Sequence, residues 1–230
     1  MNDGTVFDLS VVAASRWMFT CYGIVGDDGA VVLVDAGLPS SAQGALEVLH
    51  QVGRVPEDVT TVLATHGHSD HVGGVATVLE RTPASALLPE RCEGYLAGEV
   101  PRNFGFDSNV RFLPMFGQHP FSLNATRELA RVGRSVGYGR RESFAVPFEP
   151  SGFLGDGDAV PGAPGWEVLA TPGHTDDSIS LYHAASATLL SGDEVLTHDG
   201  RAWFNPEWVD RPAHRATEER LRSLQVQHLL

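Results

Sequence analysis

Between Thr65 and Gly74 the chain reads Thr-His-Gly-His-Ser-Asp-His-Val-Gly-Gly, which puts three imidazoles and a carboxylate within positions 66 to 71. Neutral imidazole and carboxylate are the ligands that borderline metals such as zinc prefer, so the chemistry suggested here is metal binding. His66 and His68 are two residues apart, and in an extended segment such a pair points the same way. Asp70 and His71 fall where a helix starts, and Gly73 and Gly74 allow close packing there. A solvated histidine-rich loop is the bland alternative, but such density is rare by chance. Two further stretches offer ligands: His174 within Thr171-Pro172-Gly173-His174-Thr175, and Asp193 within Ser191-Gly192-Asp193.

Each of these stretches ends an apolar run that reads as a strand, at 59–64, 165–170 and 188–190. Ligands gathered from several strand ends at one edge of a sheet are how α/β scaffolds build sites. The remaining pattern predicts a first strand at 6–13 and strands at 17–25 and 30–34, the latter two joined by the hairpin signal Gly26-Asp27-Asp28-Gly29. A helix is expected from Pro39 to about Gln51, a short helix at 72–80 and a strand at 85–88. Later come a strand at 179–183, an aromatic loop at 203–208, a helix at about 212–224 and a closing strand at 226–230. This alternation predicts an α/β chain whose sheet faces are covered by helices.

From 89 to 155 the pattern breaks down. Eight of the eleven phenylalanines lie between Phe104 and Phe153, and seven of the sixteen arginines between Arg102 and Arg141. A helix is expected over 122–134 with Ser122 as N-cap, which places Arg127, Arg131 and Arg134 on one face. The reading is a cap inserted over the mouth of the sheet within a single domain of residues 1–230, its apolar residues lining a pocket. The alternatives are a homodimer interface for the aromatics and a solvated face for the arginines. A length of 230 residues suits one domain, and 42% hydrophobic with 20% charged residues is ordinary for a soluble globular protein. The net charge of −13, with every cation an arginine, argues against a nucleic-acid partner. No apolar run approaches the ~20 residues of a membrane span, and Met1-Asn2-Asp3-Gly4 lacks the features of a secretory signal, so the expectation is cytoplasmic. Cys21 and Cys92 are expected to be reduced, packed thiols.

The His-x-His-x-Asp-His run at 66–71, Thr-Pro-Gly-His-Thr at 171–175 and Ser-Gly-Asp at 191–193 resemble, in order and separation, the metallo-β-lactamase-fold metallo-hydrolases, such as the hydroxyacylglutathione hydrolases. The opening hairpin with Val34-Asp35-Ala36-Gly37 fits as well, and the likeness covers the chain apart from 89–155. The resemblance implies an αββα sandwich with two divalent metals at one edge, zinc foremost, with iron or manganese as alternatives. By position, His66, His68 and His174 would hold the first ion. Asp70 and His71 would hold the second, Asp193 would bridge the two, and Asp35 would support the site without ligating. A water shared by cations ~3.5–4 Å apart ionises near neutrality. The hydroxide would attack a thioester, a lactone or a similar activated carbonyl of a small molecule, with Asp70 orienting it and taking its proton.

One departure stands out. The family's last ligand is a histidine in a Gly-His pair after the final strand, and the chain stops at Leu230, short of that point. His228 is not in that motif. The expectation is a longer native form that restores the site, or a second metal short of one protein ligand. A mono-iron persulfide dioxygenase using His66, His174 and Asp193 is the alternative enzyme; a non-catalytic metal-binding scaffold is the alternative class. The Phe-rich, Arg-bearing insertion suggests an apolar acyl group on an anionic carrier, such as a coenzyme A or glutathione conjugate. His50, His119, His183, His198 and His214 read as surface or packing residues, with His198-Asp199 close enough to the Asp193 loop to sit near substrate.

Overall fold

The computed structural model describes residues 3–7, 10–104, 110–111, 117, 121–138 and 143–230. Phe106, Phe112, Phe116, His119, Arg140 and Arg141 lie outside them.

The strand expected at 6–13 is two strands, β1 (Asp3–Phe7) and β2 (Val11–Arg16), paired antiparallel. Ser10 turns the chain between them at φ 57°, a left-handed conformation that apolar patterning does not announce. β3 (Phe19–Val25) and β4 (Val31–Val34) form the expected hairpin. α1 (Pro39–Val48) then starts on its proline and tightens into a 3-10 turn that ends at Gly53, in the left-handed region. β5 (Val59–Leu63), the short helices α2 (Ser69–Val72) and α3 (Val75–Leu79), and β6 (Ser85–Pro89) follow in the expected order.

The 89–155 span holds α4 (Arg91–Leu96), α5 (Leu123–Val132), the short strands β7 (Gly137–Tyr138) and β8 (Phe144–Ala145), and β9 (Gly152–Leu154). Ser122 caps α5, its hydroxyl accepting from the Ala125 N–H at 3.3 Å. The last part of this span is no insertion, because β9 pairs parallel with β6 and completes the main sheet. That sheet has seven strands in the order β1-β2-β3-β4-β5-β6-β9.

The second sheet is β10 (Trp166–Ala170), β11 (Ile179–His183), β12 (Thr188–Leu190) and β15 (His228–Leu229), in that order. Between β12 and β15 come a hairpin, β13 (Val195–His198) with β14 (Arg201–Phe204), and α6 (Arg211–Arg222). The stretch expected to be an aromatic loop from 203 therefore begins inside a strand. Its signal was Asp199-Gly200, whose φ values of 49° and 71° suit the tight hairpin turns that Asp-Gly favours.

Strand parity shows why these elements stack in four layers. On β4, Val31 and Leu33 face Leu46 and Leu49 of the α1 region and Val75 and Val78 of α3. Their neighbours Val32 and Val34 face the second sheet, against Trp166, Val168, Ile179 and Leu181. A strand buried on both faces reads as a continuous apolar run, and Val-Val-Leu-Val is one. On the outer face of the second sheet, Leu169 and Leu189 meet Leu221 of α6. The order is helices, sheet, sheet, helix, as expected. Cys21 and Cys92 are free and buried. No helix among the described residues is long and apolar enough to cross a membrane.

Candidate metal centre

The turns after β4, β5, β10 and β12 meet at one edge of the sandwich. Asp35, the first residue beyond β4, is buried at φ 58°, a conformation L-residues rarely hold without compensation. The compensation is visible in its carboxylate, which accepts from the Thr65 N–H at 2.7 Å, the Thr65 hydroxyl at 2.8 Å and His71 Nδ1 at 3.0 Å. One acid thus ties the end of β4 to the loop after β5. Gly74 completes the join. A Cβ there would stand 2.3 Å from the Ala36 carbonyl oxygen.

Within the loop, His66 Nε2 lies 2.8 Å from His68 Nδ1, and His174 Nε2 lies 3.3 Å from the same His68 atom. Asp193 joins from the far side, 3.3 Å from His71 Nε2 and 3.6 Å from His174 Nε2. Among the described residues two donor sets result, His66/His68/His174 and His66/His71/Asp193, each with its donor atoms within 4.8 Å of one another. Asp70 belongs to neither set. It lines the adjoining cavity with Asp35, His71 and Asp193.

The ring protons fit a metal, as assigned from their partners. Thr65 Oγ1 gives its hydrogen to Asp35, so it accepts from His66 Nδ1 at 3.2 Å and leaves Nε2 a lone pair. His71 Nδ1–H points to Asp35, leaving Nε2 free. His174 Nδ1 lies 3.1 Å from the Glu207 carbonyl, which can only accept, so its Nε2 also turns inward unprotonated. Asn205 Nδ2, also 3.1 Å from that Nδ1, donates to the Asp193 carbonyl at 2.8 Å. Imidazoles oriented by carboxylates and carbonyls are the usual outer support of a metal site.

The electrostatics agree. Burial first, then the neighbouring imidazoles, hold His66 and His68 well below the ordinary histidine range, so both are neutral, the form that can ligate. Burial would also lower His71, but Asp35 and Asp193 outweigh it and raise that ring well above its ordinary value. Burial alone would raise Asp193; the His71 charge and hydrogen bond, then His174, pull it well below the usual carboxylate range. Asp70 is raised, chiefly by burial. Neutral His66 and His68 with an ionised Asp193 suit a divalent ion, which would take the place of the His71 Nε2 proton.

Sequence reading missed the supports. Glu194 is fully buried, accepting from the His174 backbone N–H at 2.9 Å and facing His214 Nδ1 at 3.2 Å. His214, read as a packing residue, therefore props the His174 loop. Asp177, three residues after His174, holds the Gly67 N–H at 2.8 Å. Glu207 is raised to about 7 by burial and by the Asp193 and Asp70 charges. Carboxyls next to a ligand motif were the available signal for Asp177 and Glu194; nothing local marked Glu207.

Other expectations fall away from the centre. Arg127 and Arg131 line a separate surface depression with Asn124 and Glu128, and among the described residues no arginine lines the cavity beside the donor sets. His198 and Asp199 lie in another depression, with Arg201 and Trp203, because the β13–β14 hairpin carries its tip away. From the 89–155 span, Phe104 does reach the centre, its ring 5.3 Å from His68 and 5.0 Å from His174.

Comparison with known proteins gives the same picture. The family model described as "Metallo-beta-lactamase superfamily" matches residues 17–225. The chain is 27% identical over 171 residues to "Probable metallo-hydrolase YflN" of Bacillus subtilis, covering 72% of this chain and 56% of that protein. It is 29% identical over 194 residues to the human "Metallo-beta-lactamase domain-containing protein 1", covering 83% of this chain and 52% of the relative. The chain thus spans about half the length of these two relatives. Among solved structures, a metallo-beta-lactamase from Cronobacter sakazakii superposes with a TM-score of 0.65 at 17% identity, over 99% of this chain and 79% of that one. With the family model spanning nearly the whole chain and the turns that carry the candidate donors meeting at one sandwich edge, the chain belongs to the metallo-β-lactamase superfamily.

Proposed function

We propose that the protein is a metal-dependent hydrolase of activated carbonyl compounds, with lactones and acyl thioesters as its substrate class. The observation that carries this reading is the pair of donor sets sharing His66 beside a cavity of about 270 Å³. His66, His68 and His174 would hold one divalent ion, and His71 with Asp193 would offer ligands to a second, beside Asp70. Zinc suits this nitrogen-rich set, with iron or manganese as alternatives. When bound, such ions supply a water ionised near neutrality and a Lewis acid for the carbonyl.

The chain's own residues supply the rest. Asp70 faces the cavity from the start of α2, where its carboxylate can orient a water and take its proton. Met18, Phe19, Val195, Leu196 and Leu230 form an apolar wall around it. An acyl chain fits such a wall, and among the described residues no arginine lines the cavity, which favours neutral esters and lactones. Phe104 lies against His68 and His174 and shields that side. A mono-iron oxidase would use His66, His174 and Asp193 alone. The inward nitrogens of His68 and His71 favour the fuller set.

The test is elemental analysis of purified protein followed by a panel of neutral lactones and acyl thioesters. Metal-dependent hydrolysis is expected, with Asp70→Asn lowering kcat by about 10²–10⁴-fold while the imidazole set keeps its ion. Oxygen consumption with a persulfide, and no hydrolysis of any ester, would overturn the reading.

A further inference from the structure

Asp177 is 2% exposed and lies behind the metal loop. One carboxylate oxygen accepts from the Gly67 N–H at 2.8 Å and the Cys92 S–H at 3.2 Å, and the other accepts from the Tyr138 hydroxyl. Gly67 is the peptide between the ligands His66 and His68, so this carboxylate grips the backbone that spaces them. Burial first, then the Asp177 charge, push both the Tyr138 hydroxyl and the Cys92 thiol well above their ordinary ranges, so both keep their protons and stay donors.

Tyr138 also touches the loop directly. Its ring meets His68 edge-on at 4.9 Å and packs against Phe144 at 5.8 Å. A Cβ on Gly67 would stand 2.6 Å from Phe144 Cε2 and 3.1 Å from the Tyr138 ring, so the aromatic pair lies flush on the loop. The β7 backbone is as close. A Cβ on Gly137 would fall 2.5 Å from the Gly67 carbonyl oxygen and 2.8 Å from Ser69 N. The 66–69 loop is therefore fixed on three sides by groups from outside its own sheet.

We propose that Asp177 and Tyr138 are a positioning pair that sets the separation of the His66 and His68 nitrogens, so that a tyrosine from the 89–155 span controls how tightly the first metal is held. This rests on the reading that His66, His68 and His174 bind an ion. Carboxylate hydrogen bonds behind a metal ligand commonly control affinity by about 10–100-fold, and the charge-assisted kind also fixes geometry.

The experiment compares the wild type with Tyr138→Phe, Asp177→Asn and, as a control, Tyr182→Phe, whose hydroxyl donates to the Gln225 carbonyl on the outer side of the second sheet. Zinc affinity is read by competition with a chromogenic chelator, coordination geometry by the visible spectrum of the cobalt-loaded protein, and folding by Tm. Tyr138→Phe and Asp177→Asn are expected to weaken zinc binding about tenfold or more and to change the cobalt spectrum, with Tyr182→Phe unchanged. The double variant is expected to be little weaker than Asp177→Asn alone, since both act on one contact. Tyr138→Phe keeps the ring and its packing, so it carries the test if Asp177→Asn fails to fold. Zinc affinity within twofold of wild type and an unaltered cobalt spectrum in Tyr138→Phe would overturn the pairing, whatever its Tm. No tight zinc in the wild type would overturn the metal reading itself, and this inference with it.

Discussion

Asp35, Asp177 and Glu194 are buried carboxylates, and each holds a different part of the donor array. Asp35 accepts from three donors on Thr65 and His71. In Asp35→Asn the amide nitrogen must face one of those donors, leaving a buried N–H or O–H unpaired at about 1–3 kcal/mol. We expect denaturant unfolding of the metal-free variant to show that loss, and zinc affinity to fall as His71 loses its orienting acceptor. Glu207 gives a pH prediction. Raised from 4.5 to about 7, it binds its proton more tightly in the native state, so its contribution to stability is full at low pH and lost as pH rises through 7. Metal-free Glu207→Gln should therefore melt above the wild type near pH 8.5 and level with it near pH 4. Bound cations would lower the Glu207 pKa and shrink the difference, so added zinc should remove the gain at high pH. Equal melting at both pH values would show that neither burial nor the Asp193 and Asp70 charges raise this carboxyl.

At the scale of elements, α6 connects stability to the site. Asp210 caps it, accepting from the Ala213 N–H at 3.0 Å, and Leu221 packs it on the second sheet. The same helix brings His214 to Glu194, and through it to the His174 backbone. Asp210→Ala should cost about 1 kcal/mol in unfolding free energy, with a proportionate drop in Tm. The strands between the sheets should be less forgiving. Leu181 on β11 is fully buried between them, so Leu181→Ala should cost about 2–5 kcal/mol.

For the molecule as a whole, the donors come from both layers: His66, His68 and His71 from the turn after β5 in the large sheet, His174 and Asp193 from turns after β10 and β12 in the small one. Across this edge the sheets are otherwise joined by bonds such as Ile179 N–H to the Thr65 carbonyl at 2.8 Å. An ion there would crosslink the sandwich, and anything that binds the native state alone raises Tm with its concentration. Chelation should lower Tm, and zinc should restore it in proportion to the logarithm of its free concentration. A Tm indifferent to both would mean that the two layers do not share an ion.

The sequence by itself marked the turns that carry the candidate donors and the layers they close. Apolar runs ending in His66–His71, His174 and Asp193 mark strand ends, and the unbroken run of β4 marks a strand buried on both faces. Both are local signals, set by a two-residue period and by the polar residues that stop it. Tertiary structure decided the rest. It returned β9 to the main sheet, set Tyr138 and Phe104 on His68, and brought the Glu207 carbonyl to His174. It left Arg127 and Arg131 on a surface of their own. These contacts join residues tens of positions apart, and a side chain's partner at that range depends on how layers pack, which no local period records.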